Sequence, residues 1–227
     1  MASVDNTALA ELEPPLGAES LEVTHGKLGM WTFLVMDAMT FAGFLAGYAR
    51  LRWGVGSGAI GANAGINQPW PYPYDTFGQL GIQITALNTF ILICSSVTMV
   101  HALADAKKGN IKGATNWLIV TIIGGFIFLG IQGFEWTHLI LDLWPYVIDG
   151  AAEAVPYNKN FAATFFCLTG FHGCHVAIGV IYNIIIMLGL KNGKITQKES
   201  SLVEIAGLYW HFVDLVWILV FTFVYLI

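Results

Sequence analysis

Five long runs of apolar residues, separated by shorter polar stretches, dominate this 227-residue chain. Each run is continuously apolar, which is typical of a membrane-spanning helix and not of the alternating strands of a transmembrane barrel. At 1.5 Å per residue, each run is long enough to cross about 30 Å of hydrocarbon. The pattern predicts an all-α integral membrane protein with five transmembrane helices, at approximately residues 28–49, 76–104, 113–134, 160–190 and 205–227.

The first part of the chain differs from the rest in charge. Residues 1–26 contain five acidic residues and no lysine or arginine. A secretory signal begins with a positively charged stretch, so no cleavable signal is expected here. We predict an acidic, flexible N-terminal tail at 1–26, followed by one five-helix transmembrane domain at 27–227.

Composition favours a lipid environment. Hydrophobic residues make up 56% of the chain and charged residues 11%, whereas charged residues are about a quarter of a soluble domain. The net charge of −5 provides no basic surface for nucleic acid. The three cysteines, Cys94, Cys167 and Cys174, lie inside apolar runs without a Cys-x-x-Cys pair. We therefore expect neither a disulfide framework nor a zinc site.

Lysine and arginine are distributed unequally between the two ends of the predicted helices. One side carries the tail and the loops after the second and fourth helices. That side has seven of these residues: Lys27, Lys107, Lys108, Lys112, Lys191, Lys194 and Lys198. The other side has three: Arg50, Arg52 and Lys159. Cytoplasmic loops are enriched in such residues. The count predicts a cytoplasmic N-terminus and an external C-terminus, in a multi-pass protein of a bacterial inner membrane.

Ionisable side chains at membrane depth are the main functional candidates. An acid near the bilayer centre costs about 2.5–3.5 kcal/mol, so it is expected to face protein and to have a partner. Asp37 lies in the first helix, His172 and His175 in the fourth, and His211 and Asp214 in the fifth. Residues three apart share a helical face. We expect one intramembrane polar cluster that joins these three helices.

Three roles are open for this cluster. The groups can fix helix register and packing, or take part in proton movement, because histidine titrates near neutral pH. Metal ligation by His172 and His175 is a weaker hypothesis, since the sequence offers no evident third ligand. We predict no catalytic residue and no metal site in this chain.

Two further acids and four glycines complete the candidates. Glu135 ends the third apolar run and Glu204 begins the fifth, so both are predicted to be interface carboxylates. A carboxylate such as Glu204 is favourable near a helix N-terminus.

Small residues let helices approach closely in lipid, within this chain or against another subunit. The predicted helix-packing positions are Gly43, Gly47, Gly170 and Gly173.

Two segments carry a resemblance to a known family. Residues 169–176 read Thr-Gly-Phe-His-Gly-Cys-His-Val, and residues 209–217 read Tyr-Trp-His-Phe-Val-Asp-Leu-Val-Trp. They are similar to the TGFHGxHV and YWHFVDxVW segments of the cytochrome c oxidase subunit III family, which includes subunits of quinol oxidases. Gln132 with Glu135 is a weaker similarity. The resemblance extends over roughly residues 25–227, in the family's order.

The resemblance implies a fold and a function. Typical members have seven helices, and this chain resembles a shorter five-helix form that lacks the first two. Subunit III carries no haem or copper, which belong to partner subunits. It packs against oxidase subunit I, in a complex with subunit II and other respiratory subunits, binds phospholipid and supports proton uptake. The resemblance thus implies a non-catalytic subunit of a proton-pumping haem–copper terminal oxidase in aerobic respiration.

One position departs from the family pattern, and alternatives remain open. Asp37 stands where the family usually has a buried glutamate, so its partner must lie closer or a water must bridge the gap. A subunit III-like component of a quinol oxidase or a nitric oxide reductase is an alternative. In a different class, an independent proton or ion transporter built on the polar cluster is another. Co-purification with a large haem-containing partner would separate these hypotheses.

Overall fold

A computed structural model describes residues 25–53, 73–148 and 159–227. Within these ranges the chain is helical apart from short turns. Five helices follow one another: α1 His25–Trp53, α2 Pro73–Lys107, α3 Ile111–Ile148, α4 Lys159–Lys191 and α5 Ser200–Phe221. A 3-10 turn, Gln197–Glu199, precedes α5, and a π-helical turn, Thr222–Leu226, continues it. Each of the five contains a stretch long and apolar enough to cross a membrane, which confirms the predicted architecture.

The helices extend beyond the apolar runs that predicted them. The difference is largest in α3, which continues past Phe134 to Ile148. Apolar residues mark the part of a helix that lies in hydrocarbon, whereas backbone hydrogen bonding can carry the helix further into the interface. Glu135 therefore lies within α3 and not at its end. The predicted acidic tail falls almost entirely outside the described residues.

Helices α2 to α5 form a ring, and α1 packs on its outside. In the ring, α2 lies against α3 and α5, and α4 lies against the same two helices. The first helix packs mainly against α4 and α5. Consequently α5 is the central helix, with packing partners on three sides, and it is the most buried of the five spans.

Packing inside the bundle depends on aromatic side chains. The largest fully buried ones include Trp210, Trp217, Phe128 and Phe165. The edge of Phe128 contacts the face of Trp217, with ring centroids 4.8 Å apart. Lipid tails are as apolar as these side chains, so close van der Waals contact and hydrogen bonds, more than the hydrophobic effect, hold such helices together.

Two glycines fix the ends of α2 and α4. Gly109 and Gly193 have φ values of 75° and 68°, in the left-handed region that favours glycine. The amide of Asn110 donates to the carbonyl of Asp105, and the amide of Lys194 donates to the carbonyl of Gly189, both at 2.9 Å. This Schellman arrangement satisfies carbonyl groups at a helix end. Both turns lie on the predicted cytoplasmic side.

Polar contacts attach α1 to the bundle at both of its ends. Near its start, Lys27 Nζ lies 2.8 Å from Glu204 Oε1 of α5. Near its end, Arg52 donates to the hydroxyl of Tyr48 at 3.0 Å and to the backbone carbonyl of Ile227. The helix with the least buried span is thus held to the central one at both membrane interfaces.

Candidate functional site: the polar groups between the helices

Asp37 and His175 form an ion pair between α1 and α4. Asp37 Oδ1 lies 3.2 Å from His175 Nε2. Both side chains are buried, at 8% exposure each. The rings of Phe41 and Phe171 pack against the imidazole and shield the pair. The structure thus places Asp37 against protein, beside a histidine of α4.

Hydrogen bonding requires that this pair hold a proton. His175 Nδ1 lies 2.8 Å from the carbonyl oxygen of Phe171, and a carbonyl can only accept, so Nδ1 carries a hydrogen. Nε2 then either donates to an ionised Asp37 or accepts from a protonated one. In both forms one proton lies between the two residues, and the pair as a whole is neutral. A neutral pair is much less costly at membrane depth than an isolated charge.

His172 lies in an aromatic cage that shares Phe41 with this pair. Its side chain is 0% exposed. The ring stacks on Trp217 at a centroid distance of 4.8 Å, and Phe128 contacts it edge-on at 5.6 Å. Neither ring nitrogen has a hydrogen-bond partner among the described residues. His172 therefore packs as an aromatic ring, and it does not contact an acid as the single-cluster prediction required.

His211 and Asp214 belong to a third group, at the interface of α5 with α2. His211 Nδ1 lies 2.7 Å from the hydroxyl of Ser96. Asp214 lies beside the same hydroxyl. A hydroxyl can accept from one neighbour and donate to another, so Ser96 can link the imidazole to the carboxylate. The predicted residues thus make three sets of contacts, of which the first two share the ring of Phe41, and Ser96 is a member that the sequence did not reveal.

The second family segment forms a row of hydrogen bonds along α5. Tyr209 donates to the backbone carbonyl of His175 at 3.0 Å. On the opposite side, Trp210 donates to Ser95 at 3.0 Å and Trp217 donates to Thr89 at 2.9 Å. With the His211–Ser96 contact, these bonds connect α5 to α4 and to two levels of α2. The polar residues of this segment therefore fix the position of the central helix.

Glu135 joins three elements. Its Oε1 accepts from Thr85 of α2 at 3.1 Å, and its Oε2 accepts from Tyr225 of the π-helical turn at 3.2 Å. Gln132, one turn earlier in α3, lies 3.5 Å from Oε2. This carboxylate is half-buried and hydrogen-bonded to protein, which corrects the simple interpretation of a solvated helix end. Sequence reasoning missed Thr85 and Tyr225, because lone hydroxyls in apolar runs carry no distinguishing pattern.

Glu204 forms ion pairs with two lysines. Besides Lys27, it binds Lys107 of α2, with Nζ 3.5 Å from Oε2. A carboxylate with two lysines connects α1, α2 and α5 at the predicted cytoplasmic ends of the bundle. The ion pairs give this side chain a role in addition to the predicted compensation of the helix dipole.

The four predicted packing glycines behave differently. A Cβ atom on Gly170 would lie 3.1 Å from the ring of Trp136, so this glycine makes room for an aromatic side chain. Added Cβ atoms on the other three would meet nothing within 4 Å: Gly43, Gly47 and Gly173. The first two lie on an exposed face of α1. Among the described residues, no other helix packs on that face at these two glycines.

Two glycines outside the prediction lie at close contacts between helices. A Cβ on Gly125 of α3 would lie 2.5 Å from Val180 and 2.8 Å from Trp210. One on Gly179 of α4 would lie 2.9 Å from the same indole. Both positions let α3 and α4 approach the large ring of the central helix. Neither glycine belongs to a Gly-x-x-x-Gly repeat, so the sequence gave no signal for these contacts.

Side chains that bind metals do not converge in the part of the chain that the structure describes. No group of three or more His, Cys, Asp or Glu side chains comes together there. His172 and His175, the pair weighed as metal ligands, have different polar contacts: His175 pairs with Asp37, whereas His172 is enclosed by aromatic rings. The three cysteines are exposed on the outside of the bundle. The polar side chains described above make contacts between helices.

Comparison with known proteins identifies the family. The family described as "Cytochrome c oxidase subunit III" matches residues 11–227, which is nearly the whole chain. The chain belongs to the cytochrome c oxidase subunit III family. Membership confirms the resemblance of the two segments in α4 and α5, and it agrees with the all-helical, five-span architecture.

Relatives of this subunit III come from oxidases with different electron donors. The "Cytochrome c oxidase subunit 3" of Alkalihalophilus pseudofirmus is 32% identical over 207 residues, which cover 91% of this chain and 89% of that protein. The "Quinol oxidase subunit 3" of Bacillus subtilis is 33% identical over 199 residues, with coverage of 88% and 85%. The "Cytochrome bo(3) ubiquinol oxidase subunit 3" of Pseudomonas putida is 32% identical over 200 residues, with coverage of 88% and 84%.

These relatives also indicate the cellular location of this chain. They are bacterial proteins, and the five apolar helices make this chain a multi-pass membrane protein. The predicted location in a bacterial inner membrane is confirmed.

Proposed function

We propose that this chain is a non-catalytic, structural subunit of a proton-pumping haem–copper terminal oxidase. The observation that carries the proposal is the use of its polar side chains. Asp37, His175, Glu135 and the polar residues of the α5 segment all contact other helices of the same chain. A subunit built in this way is a rigid membrane scaffold. Oxygen reduction is then the task of haem and copper in the partner subunits.

A face of α1 is suited to packing against the catalytic subunit. The side chains of Trp31 and Met39 are 54% and 71% exposed, and no neighbouring helix covers Gly43 or Gly47. Small residues one turn apart are typical of close helix–helix contacts in membranes. A helix of oxidase subunit I that packs here would cover a surface that this chain leaves open.

Support for proton uptake fits the Asp37–His175 pair. The pair holds one proton, and Asp37 Oδ2 has no hydrogen-bond partner among the described residues. A donor from the catalytic subunit at Oδ2 would connect this pair to the partner's own polar groups. Bound phospholipid would fill the remaining grooves of the apolar surface and stabilise the complex during turnover.

Deletion of the chain tests this function. We expect membranes from the deletion strain to retain the haem absorption spectrum of the oxidase, because no haem ligand is removed. Oxygen consumption should start near the normal rate and then decline faster during sustained turnover. Complementation with the full chain should restore the slower decline. A deletion strain in which the oxidase assembles but its haem spectrum is lost would contradict a purely structural role.

A further inference from the structure

An apolar groove runs along the outer face of the α2–α3 hairpin. It has a volume of about 220 Å3. Its walls include Phe90, Cys94 and Thr98 from α2, and Val120, Gly124 and Ile127 from α3. The helices come close at Gly124, where an added Cβ would lie 2.9 Å from Ser95 Cβ. The small side chains at this contact leave an indentation in the membrane-facing surface.

The polar atoms at the groove point away from it. The Thr98 hydroxyl lies 2.7 Å from that of Thr121 and donates to the carbonyl of Ser95. The Ser95 hydroxyl donates to the carbonyl of Leu92 and accepts from Trp210. Only apolar atoms then face the membrane. The groove can therefore hold a hydrocarbon chain without leaving a polar group unsatisfied.

Towards the turn between α2 and α3, the same face of the hairpin carries a pair of aromatic rings and then two lysines. Helical spacing of three or four residues takes the α2 wall from Thr98 to His101, and the α3 wall from Val120 to Trp117. The His101 and Trp117 rings are stacked, with centroids 4.9 Å apart. The exposed side chains of Lys108 and Lys112 lie beyond them, at the turn.

The charges at this turn are available to a ligand. Lys107 is engaged with Glu204, whereas no ion pair of Lys108 or Lys112 occurs within the described residues. One acid, Asp105, lies close to Gly113 at the start of α3 and offsets part of the positive charge. The two lysines leave the turn cationic next to an indole, a side chain that prefers the headgroup level of a membrane.

We propose that the α2–α3 hairpin binds one anionic phospholipid. The phosphate group lies at Lys108 and Lys112, and one acyl chain passes the His101–Trp117 pair and ends in the groove. The lengths agree: Cys94, in the groove, is about 20 Å along α2 from Lys107. A headgroup layer and half of the hydrocarbon core together measure roughly the same distance.

The charge at the turn favours a phospholipid over a helix of another subunit. An anionic headgroup pairs with Lys108 and Lys112, whereas an apolar transmembrane helix offers these exposed lysines no counter-charge. The proposal names a site for the phospholipid binding suggested above and rests on that membrane role.

Lipid counting by native mass spectrometry tests the site. The full chain is purified from vesicles with equal amounts of phosphatidylglycerol and phosphatidylcholine. We expect one phosphatidylglycerol to remain per chain. The double variant Lys108→Gln/Lys112→Gln should weaken its retention about fivefold for each lysine. The matched control, Lys191→Gln/Lys194→Gln, changes two exposed lysines at the other turn on the same side and should retain the lipid.

A second pair of variants tests the acyl-chain position. Cys94→Phe fills the groove from an exposed position, so it should reduce retention without disturbing the core. Cys167→Phe makes the same change at an exposed cysteine of α4 and should have no effect. Three results would each overturn the proposal. The wild type could retain both lipids equally, or a variant and its control could lose the lipid equally. Cys94→Phe could also retain the lipid as the wild type does. The lipid count does not depend on oxidase turnover, so it can fail while the oxidase assignment holds.

Discussion

At the scale of single residues, the Asp37–His175 pair shows how membrane depth restricts polar chemistry. The two groups are tolerated because they share a proton, and because His175 Nδ1 is satisfied by a carbonyl of its own helix. Sequence alone predicted that Asp37 needs a partner, since an acid in an apolar run is costly. It could not identify Ser96 or Thr85, because serine and threonine in apolar helices often bond only to their own backbone.

A double-mutant cycle tests the contribution of this pair. Asp37→Leu leaves the imidazole Nε2 without its partner, which should lower the free energy of unfolding by about 1–3 kcal/mol. Adding His175→Leu removes the unpaired nitrogen as well and should recover part of that loss. Thermal unfolding of the three variants in one detergent provides the comparison. If the double variant loses as much free energy of unfolding as the two single variants added together, or more, then the two groups do not act as a pair.

At the scale of helices, glycines under the Trp210 ring decide how closely α3 and α4 approach α5. The five spans were predictable, since a continuous apolar run indicates a helix that lies in the hydrocarbon core of a membrane. The contacts between them were not predictable, because Gly125 and Gly179 lie at close contacts without a Gly-x-x-x-Gly repeat, whereas Gly43 and Gly47 form the repeat and meet no neighbouring atom within 4 Å. A Gly-x-x-x-Gly spacing marks a surface that can pack, without saying whether this chain or another one covers it.

Substitution of Gly125 should weaken this contact. A Cβ at that position would overlap both Val180 and Trp210, so we expect Gly125→Ala to cost about 1–3 kcal/mol of stability. Gly130→Ala is the matched control in the same helix, because an added Cβ there meets nothing within 4 Å. Its effect should be neutral or slightly stabilising, since alanine is the better helix former. Equal melting temperatures for the two variants would show that α3 can shift to accommodate the methyl group.

At the scale of the whole molecule, the structure is asymmetric in its exposed surface. The ring of α2 to α5 is held by hydrogen bonds on several levels, while α1 has an open face. The burial of each span follows this difference, from the least buried α1 to the most buried α5. Such an open apolar helix in a member of an oxidase family indicates a surface for another subunit.

Bulky residues on that face should prevent assembly without unfolding the chain. We expect Gly43→Leu/Gly47→Leu to leave the melting temperature unchanged, because both positions face open space. Co-purification of the chain with the haem-containing subunits should fall strongly. Gly130→Leu/Gly133→Leu is the matched control on an exposed face of α3. Undiminished co-purification of the α1 variant would mean that the catalytic subunit binds elsewhere.

The position of α1 outside the ring also has a consequence for biosynthesis. Asp37 leaves the ribosome long before the histidine of α4 that completes its pair. At roughly 5–20 residues per second, translation needs on the order of ten seconds or more to deliver that histidine. During this interval the newly inserted first helix carries an uncompensated acid into the bilayer. The nascent chain therefore depends on the translocon, or on a subunit already inserted, to shelter α1 until the fourth span arrives.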